Sequence, residues 1–554
     1  MPPLRRRTLV KSLAALPLIG SLSGLASASA SSGIFQHGVA SGDPDANSLV
    51  IWSRITTELG SVKVRWEVAE DAGFQVGARG GDVIASEHRD HTVKVLVDGL
   101  TPGSVYYYRF YCEREYSAVG RTRTLPVGDI AHIGLAMVSC SNYPFGFFNA
   151  YDAIAKDDAI DFVLHLGDYI YEYGAESWGG EAGRKIGRIH QPANEIVTLD
   201  DYRQRHAQYK SDAGSLAMNA AHPQLLVWDD HESANNPWMN GAQNHQPASE
   251  GLWHDRRAAS LRAYYEWMPV REPQSAARRR DYWRHYQFGS LATLTTLETR
   301  HTGRAQQIDY SAYVEQIDSL EAAQLFEREV LGAPDRPMLS SAMEVFLAES
   351  LRDSVALDVP WRLIGNPMPM AKTRVPDLAA HGISMPGSDP NDPKVSADLV
   401  WKGRFNLPFY PDTWDGYPWA RERFYDLCRQ HGASDLVVLT GDSHSFWANQ
   451  LSDDEGRAMG VEIGTAGVTS PGDFVDQGFD LQTAAQIDML FAKEIAEVRW
   501  TDNLHQGYVR LTLTPAAGQA DFIAVSTVLE PVYRVSVVHR ESLIKSDDGV
   551  GYAG

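Results

Sequence analysis

From residue 132 onward, short apolar runs alternate with polar and helical stretches, and four of these runs end in a burst of metal-ligand side chains. Residues 132–138 lead into Ser139-Cys140-Ser141-Asn142, and 162–166 into Gly167-Asp168-Tyr169-Ile170-Tyr171-Glu172. Residues 225–228 lead into Asp229-Asp230-His231-Glu232, and 436–439 into Thr440-Gly441-Asp442-Ser443-His444. Runs of Val, Ile and Leu without polar alternation predict strands buried on both faces of an α/β core. Ligands bind at the carboxyl ends of such strands. The pattern therefore predicts that four distant segments deliver Cys, Asp, Tyr and His to one edge of one sheet, which is how a multinuclear metal site is built.

Ahead of this region the texture differs. Segments 48–52, 62–68, 91–97 and 104–111 are short and β-prone, and Gly42-Asp43-Pro44, Gly80-Gly81-Asp82 and Thr101-Pro102-Gly103 separate them. That spacing predicts a small β-sandwich over residues 34–126, immunoglobulin- or fibronectin-like, with 125–129 as a linker. A second domain is expected over 130–535, with 536–554 as a C-terminal tail. Within it, 147–156, 199–221, 320–331 and 342–354 read as helices, 361–365 as another strand, and 508–513 and 522–525 as closing antiparallel strands. Residues 374–411 are rich in proline and have little periodicity. Their aromatic residues Trp401, Phe405, Phe409 and Tyr410 predict an ordered loop near the site.

The first 30 residues read as an export signal. Arg5-Arg6-Arg7-Thr8-Leu9-Val10-Lys11 precedes a weakly apolar stretch and the small-residue cleavage site Ala28-Ser29-Ala30. The Arg6-Arg7-x-Leu-Val-Lys11 arrangement predicts the twin-arginine export machinery as a partner, with an ordinary secretory signal as the other reading. The mature chain is expected to have no transmembrane segment and to be periplasmic or extracellular. Removing Arg5, Arg6, Arg7 and Lys11 from the 50 basic residues leaves 46 against 71 acidic ones, a formal charge of −25. So acidic a chain has no generic affinity for nucleic acid. With Cys112, Cys140 and Cys428 as its three cysteines, it is no disulfide scaffold, and Cys112 and Cys428 read as buried thiols.

The strand-end residues carry the chemistry. Asp168 follows a glycine directly after a strand, where one carboxylate can bridge two cations, and Tyr171 stands three residues on. Cys140 alone would read as a small buried hydrophobe. Together with Tyr171 it makes a thiolate and phenolate pair that favours iron over magnesium. Asp230 is the preferred ligand of its acidic cluster, and His231 beside it is a substrate contact or an acid/base group. Asp442 and His444, two apart in an extended segment, face the same way. Arg188, in a polar loop, reads as a clamp for a phosphoryl oxygen or as a surface charge. Arg184, Lys185, Arg300 and Arg304 are the next guanidinium or ammonium candidates. Asn142 and His231 stand beside the ligands as substrate contacts.

These motifs, in this order, resemble the PhoD-type alkaline phosphatases. The resemblance continues in residues 36–44 (Gln-His-Gly-Val-Ala-Ser-Gly-Asp-Pro), Trp414-Asp415-Gly416-Tyr417-Pro418 and Thr469-Ser470-Pro471-Gly472, covering nearly all the mature chain. It implies a β-sandwich followed by a metallophosphoesterase domain of two packed sheets flanked by helices. It also implies Fe3+ and Ca2+ in a dinuclear or trinuclear site and hydrolysis of phosphate mono- and diesters outside the cytoplasm. Carried over residue by residue, it supports Cys140, Asp168, Tyr171, Asp230, Asp442 and His444 as metal-binding and Arg188 as a phosphate contact. This chain departs from the family pattern at Glu298, where Asp is usual, and at Pro367 and Pro369. The ligand set implies attack by a metal-bound water, without a covalent phosphoenzyme. Two other readings stand beside this one: a phosphodiesterase acting on phospholipids with the same core, and a non-catalytic cell-surface protein with a structural metal cluster.

Overall fold

The computed structural model describes residues 33–387, 397–546 and 549–553. The expected signal segment lies outside the described residues, as do 388–396 of the proline-rich loop. Two large sheets form the centre, one of 10 strands and one of 7. In the first, Ile133–Val138, Phe162–Leu166 and Gln224–Val227 run parallel side by side. In the second, Ala292–Thr296, Trp361–Gly365, Leu436–Thr440 and Ala458–Gly464 do the same.

The apolar runs lack polar alternation because each strand has two apolar faces to fill. Leu135, Met137, Leu164, Leu225 and Val227 of the first sheet meet Leu294, Leu363, Val437, Leu439 and Ile463 of the second in one dry layer. The alternate residues Ala136, Val138, Val163, Leu226 and Trp228 face outward onto helices Asn149–Ala155, Leu199–Lys210, Ala213–Ala221 and Trp253–Trp267. On the far side, Ile364, Leu436 and Val438 face helices Ser341–Ala356 and Pro418–Gln430. The architecture is helix, sheet, sheet, helix, the α/β arrangement of two packed sheets that the family resemblance implies. One expectation is corrected: the four ligand-bearing segments do not end on one sheet. The strand Leu436–Thr440, which leads into Asp442 and His444, belongs to the second sheet, so the site lies between the ends of both.

The N-terminal strands form a sandwich around Leu49, Ile51, Val64, Val93, Tyr108 and Phe110. One of its two layers is continuous with the larger sheet: Val39–Gly42 pairs in parallel with the 224–227 strand at Gly42↔Gln224. Asp43, expected only as a turn residue, is buried there. It accepts from Arg284 Nη2 at 3.0 Å and from the Arg271 backbone N–H at 2.8 Å. The stretch expected as a C-terminal tail is also corrected. Val535–Ser546 and Gly549–Tyr552 extend the 10-stranded sheet. The expected closing strands are Gly507–Leu513, antiparallel to Ile133–Val138, and Gly518–Val525, antiparallel to Gly507–Leu513. The predicted helix over 199–221 breaks at Ser211-Asp212, where Asp212 caps the second half by accepting from Gly214 N. No described helix is long and apolar enough to cross a membrane.

Candidate metal centre

Three of the four ligand-bearing strands, all but Gln224–Val227, end in an abrupt backbone reversal. Cys140, Asp168, Asp442 and His444 all have positive φ, between 54° and 65°. Left-handed backbone at non-glycine residues costs about 1–3 kcal/mol each and collects at functional sites. The reversal turns side chains that would otherwise point along the sheet into the gap between strand ends. Gly167, at φ 100°, permits the tightest approach: a Cβ there would lie 2.4 Å from Asp229 Cβ. Glu232 joins the same two strand ends, its carboxylate accepting from the N–H groups of Asp168, Tyr169 and Asp229 at 2.7–3.1 Å.

Asp168 is the hub. One carboxylate oxygen accepts from Tyr171 Oη at 3.1 Å and from Cys140 Sγ at 3.5 Å, and Tyr171 Oη lies 3.5 Å from His444 Nε2. The other accepts from the His231 N–H at 3.3 Å. Ligand-capable atoms of Cys140, Asp168 and His444 lie within 4.8 Å of one another, as do those of Asp168, Asp230 and His231, and those of Asp168, Asp229, Asp230 and Asp442. Three groups thus share one carboxylate, with sulfur, phenol and imidazole on one side of it and carboxylates on the other. The sequence singled out six ligands, Cys140, Asp168, Tyr171, Asp230, Asp442 and His444, and the fold brings all six together.

The electrostatics are those of a site built for cations. Burial, followed by neighbouring carboxylates, pushes Asp168 well above the usual carboxylate range, and burial with Asp229 does the same to Asp442. Burial raises Asp229 to about 6. Burial also pushes the Cys140 thiol and the Tyr171 phenol far up, with Asp168 adding to both. His444 is lowered to about 4 by burial and by His231, so its ring is neutral and has a free lone pair. Asp229 Oδ2, Asp230 Oδ1 and both side-chain amide atoms of Asn142 are buried without a hydrogen-bond partner. Such orphaned groups are costly unless something outside the protein satisfies them. The donor set therefore fits metal ions.

His231 is placed by Glu172, which lies 2.6 Å from Nδ1 and also accepts from Asn235 N and Asn244 Nδ2. Carboxylates around it raise the ring well above its ordinary pKa despite burial. Tyr171 stacks on His231 at 4.2 Å, and Trp178 stacks on His444 at 5.6 Å, so aromatic rings wall the cluster.

Arg188 is held beside Tyr143. Its guanidinium pairs with Asp212 at 2.8 Å, donates from Nε to the Tyr143 carbonyl and lies 3.6 Å from the centre of the Tyr143 ring. Among the described residues Asp212 is its one carboxylate partner, and its Nη2 is buried without a hydrogen-bond partner. The guanidinium at the cluster is Arg300, fully buried, donating from Nε to Asp229 at 2.5 Å. Its Nη2 lies 3.8 Å from Asp230 and 3.6 Å from Asp442. Arg300 follows the strand Ala292–Thr296, whose polar sequence Ala-Thr-Leu-Thr-Thr hid it from an apolar-run search. Glu298, the departure from the resembled pattern, accepts from the N–H groups of Arg300, His301 and Thr302 and fixes the turn that presents Arg300.

Comparison with known proteins agrees with this geometry. The PhoD-like phosphatase family matches residues 135–522 and its N-terminal domain matches 21–126. The chain is 34% identical over 532 residues to alkaline phosphatase D of Bacillus subtilis (strain 168), covering 93% of this chain and 82% of the relative. The solved structure of PhoD superposes with a TM-score of 0.75 at 32% identity, covering 94% of this chain and 93% of that one. With the buried ligand cluster and these matches over nearly its whole length, the chain belongs to the PhoD-like phosphatase family and is a metal-dependent phosphoester hydrolase.

Proposed function

We propose that this is an exported enzyme, delivered by the twin-arginine route, that hydrolyses phosphate mono- and diesters with iron and calcium at the cluster. One observation carries the reading: Asp168 belongs to three ligand groups of different chemistry. Cys140, Tyr171 and His444 offer sulfur, phenolate and imidazole, a set suited to iron. Asp168, Asp229, Asp230 and Asp442 offer only oxygen, which suits calcium. When bound, the ions supply the charge that lowers the pKa of water towards neutrality and offsets charge on phosphate oxygens.

The protein's own groups do the rest. Asp168 fixes the spacing of the two ligand sets. Glu172 holds His231 with Nε2 towards Asp230, 3.9 Å away, where the ring can hold a proton for the departing alcohol. Arg300 offsets the repulsion among Asp229, Asp230 and Asp442, so that the acids stay assembled before ions arrive. Asn142, its buried amide unpartnered, is the neutral donor available to a phosphate oxygen.

The test is elemental analysis of protein purified without chelators, together with a panel of mono- and diesters, on wild type and Asp168→Asn. Wild type should carry iron and calcium and turn over both ester classes, and the variant should lose metal and activity together. A fully active Asp168→Asn variant with normal metal content would overturn the assignment.

A further inference from the structure

Away from the cluster, a cleft of about 390 Å³ opens between helix Trp253–Trp267 and the segment 276–280. His254, Arg257, Ala258 and Leu261 line it from the helix, at the spacing that puts them on one face, and Arg279 and Arg280 line it from the opposite side. Several buried arginines elsewhere on this acidic chain are closely paired, Arg203 with Glu266, Arg256 with Glu195 and Glu250, Arg374 with Glu327, while Arg205 and Arg336 spend their donors on backbone carbonyls. Among the described residues Arg257, Arg279 and Arg280 have no carboxylate within ion-pair distance. Arg257 donates to the Met239 carbonyl, and the Nε of Arg279 is buried without any partner. Burial and then the neighbouring Arg280 charge lower the pKa of Arg257, and the opposing pull of Glu298 is too weak to restore it.

The cleft adjoins the catalytic edge. Its helix begins at Trp253, packed on Ala234, which lies three residues after His231. His301, next to Arg300, is buried, and after burial itself the Arg257 charge is the largest influence on its ring.

We propose that this cleft binds a phosphate group other than the one being hydrolysed. Three guanidinium groups without a carboxylate partner, lining one concave surface, offer the charge and the donors that a phosphate takes. The group comes either from a substrate carrying several phosphates, an assignment that rests on the phosphoesterase reading, or from free inorganic phosphate. Arg257 and Arg279 are half-buried and Arg280 is exposed, so the cleft is open to both.

The experiment uses the metal-loaded full chain and the Arg279→Gln/Arg280→Gln variant. The substrates are α,ω-alkanediols of increasing length, each as its mono- and bisphosphate. For the extended-substrate source, wild type should show about tenfold lower KM for the bisphosphate at the spanning length, the fold-change of one charge-assisted contact. The variant should lose that preference while keeping its kcat and KM on monophosphates. For the free-phosphate source, calorimetric titration with inorganic phosphate should find one site more in wild type than in the variant, with no bisphosphate preference at any length. Equal phosphate stoichiometry and no bisphosphate preference in either protein would overturn the proposal. If the double variant melts early, Arg280→Glu, at an exposed position, reads the same two signals. Should wild type hydrolyse no phosphate ester at all, the functional reading fails, and the titration still reports on the cleft.

Discussion

Gly167→Ala is the sharpest perturbation of the site, because it removes no proposed ligand side chain. Gly167 has φ 100°, and the added Cβ would lie 2.4 Å from Asp229 Cβ, 2.5 Å from Asp229 N and 2.9 Å from the Trp228 carbonyl carbon. Carbon atoms in comfortable contact are about 3.5–4.0 Å apart, so the two strand ends must separate by about 1 Å. The left-handed backbone costs alanine about 1–2 kcal/mol, and overpacking adds about 1–3 kcal/mol. A loss of about 2–5 kcal/mol leaves a domain of ordinary stability folded. The separation carries Asp229 and Asp230 away from Asp168, and a misplacement of about 1 Å costs about 10²-fold in rate. Thermal unfolding, metal content and kcat/KM on a simple monoester, measured on one preparation, should show a modest fall in Tm and about a hundredfold loss of kcat/KM. Wild-type kcat/KM in a protein of reduced Tm would show that the contact of Gly167 with Asp229 does not set the site's geometry, and would refute the reasoning.

Three further outcomes are expected. Arg188→Ala should lower stability by about 3 kcal/mol, the cost of breaking a buried pair, with kcat/KM unchanged well below Tm; a stable variant with reduced kcat/KM and weaker inhibition by phosphate would return Arg188 to the substrate. Cys140→Ser should lose iron in preference to calcium, because the sulfur donor is what distinguishes its side of Asp168; elemental analysis showing equal loss of both would count against a divided ligand set. Replacing Arg6 and Arg7 with lysines should stop export and leave folded, metal-loaded enzyme in the cytoplasm, and undiminished enzyme outside would favour the ordinary secretory route.

What the chain disclosed in advance follows from its periodicity. Strands apolar on both faces stand out, and so the segments ending in Cys140, Asp168, Asp230 and Asp442 were legible along with their ligands. The strand Ala292–Thr296 is just as buried, but its threonines conceal it, and from sequence Arg300 ranks only among the alternatives to Arg188. Val535–Ser546 alternates charged and apolar residues at the margin of its sheet, and that texture reads as a tail until its hydrogen bonds to Gly518–Val525 are seen. Helix Trp253–Trp267 mixes arginines with aromatic residues and shows no clean stripe, although its tyrosines pack under Trp228. The left-handed turns at Asp168, Asp442 and His444 fall on residue types that tolerate that backbone, but Cys140 has no such preference, and its turn is held by the site around it.

The pairing of Gly42 with Gln224 gives the N-terminal strands a further meaning. The strand that ends in the Asp229-Asp230-His231 cluster would otherwise be the sheet's outermost member, with a bare row of N–H and C=O groups. Val39–Gly42 covers part of that row, and Asp43, gripped by Arg284 and Arg271, locks the cover on from the second sheet's side. An uncovered strand edge recruits other chains. The N-terminal strands from Val39 to Arg123 therefore serve as a guard against self-association as much as a domain in their own right. Cutting them away would leave a catalytic half whose metal-bearing strand is also its stickiest surface.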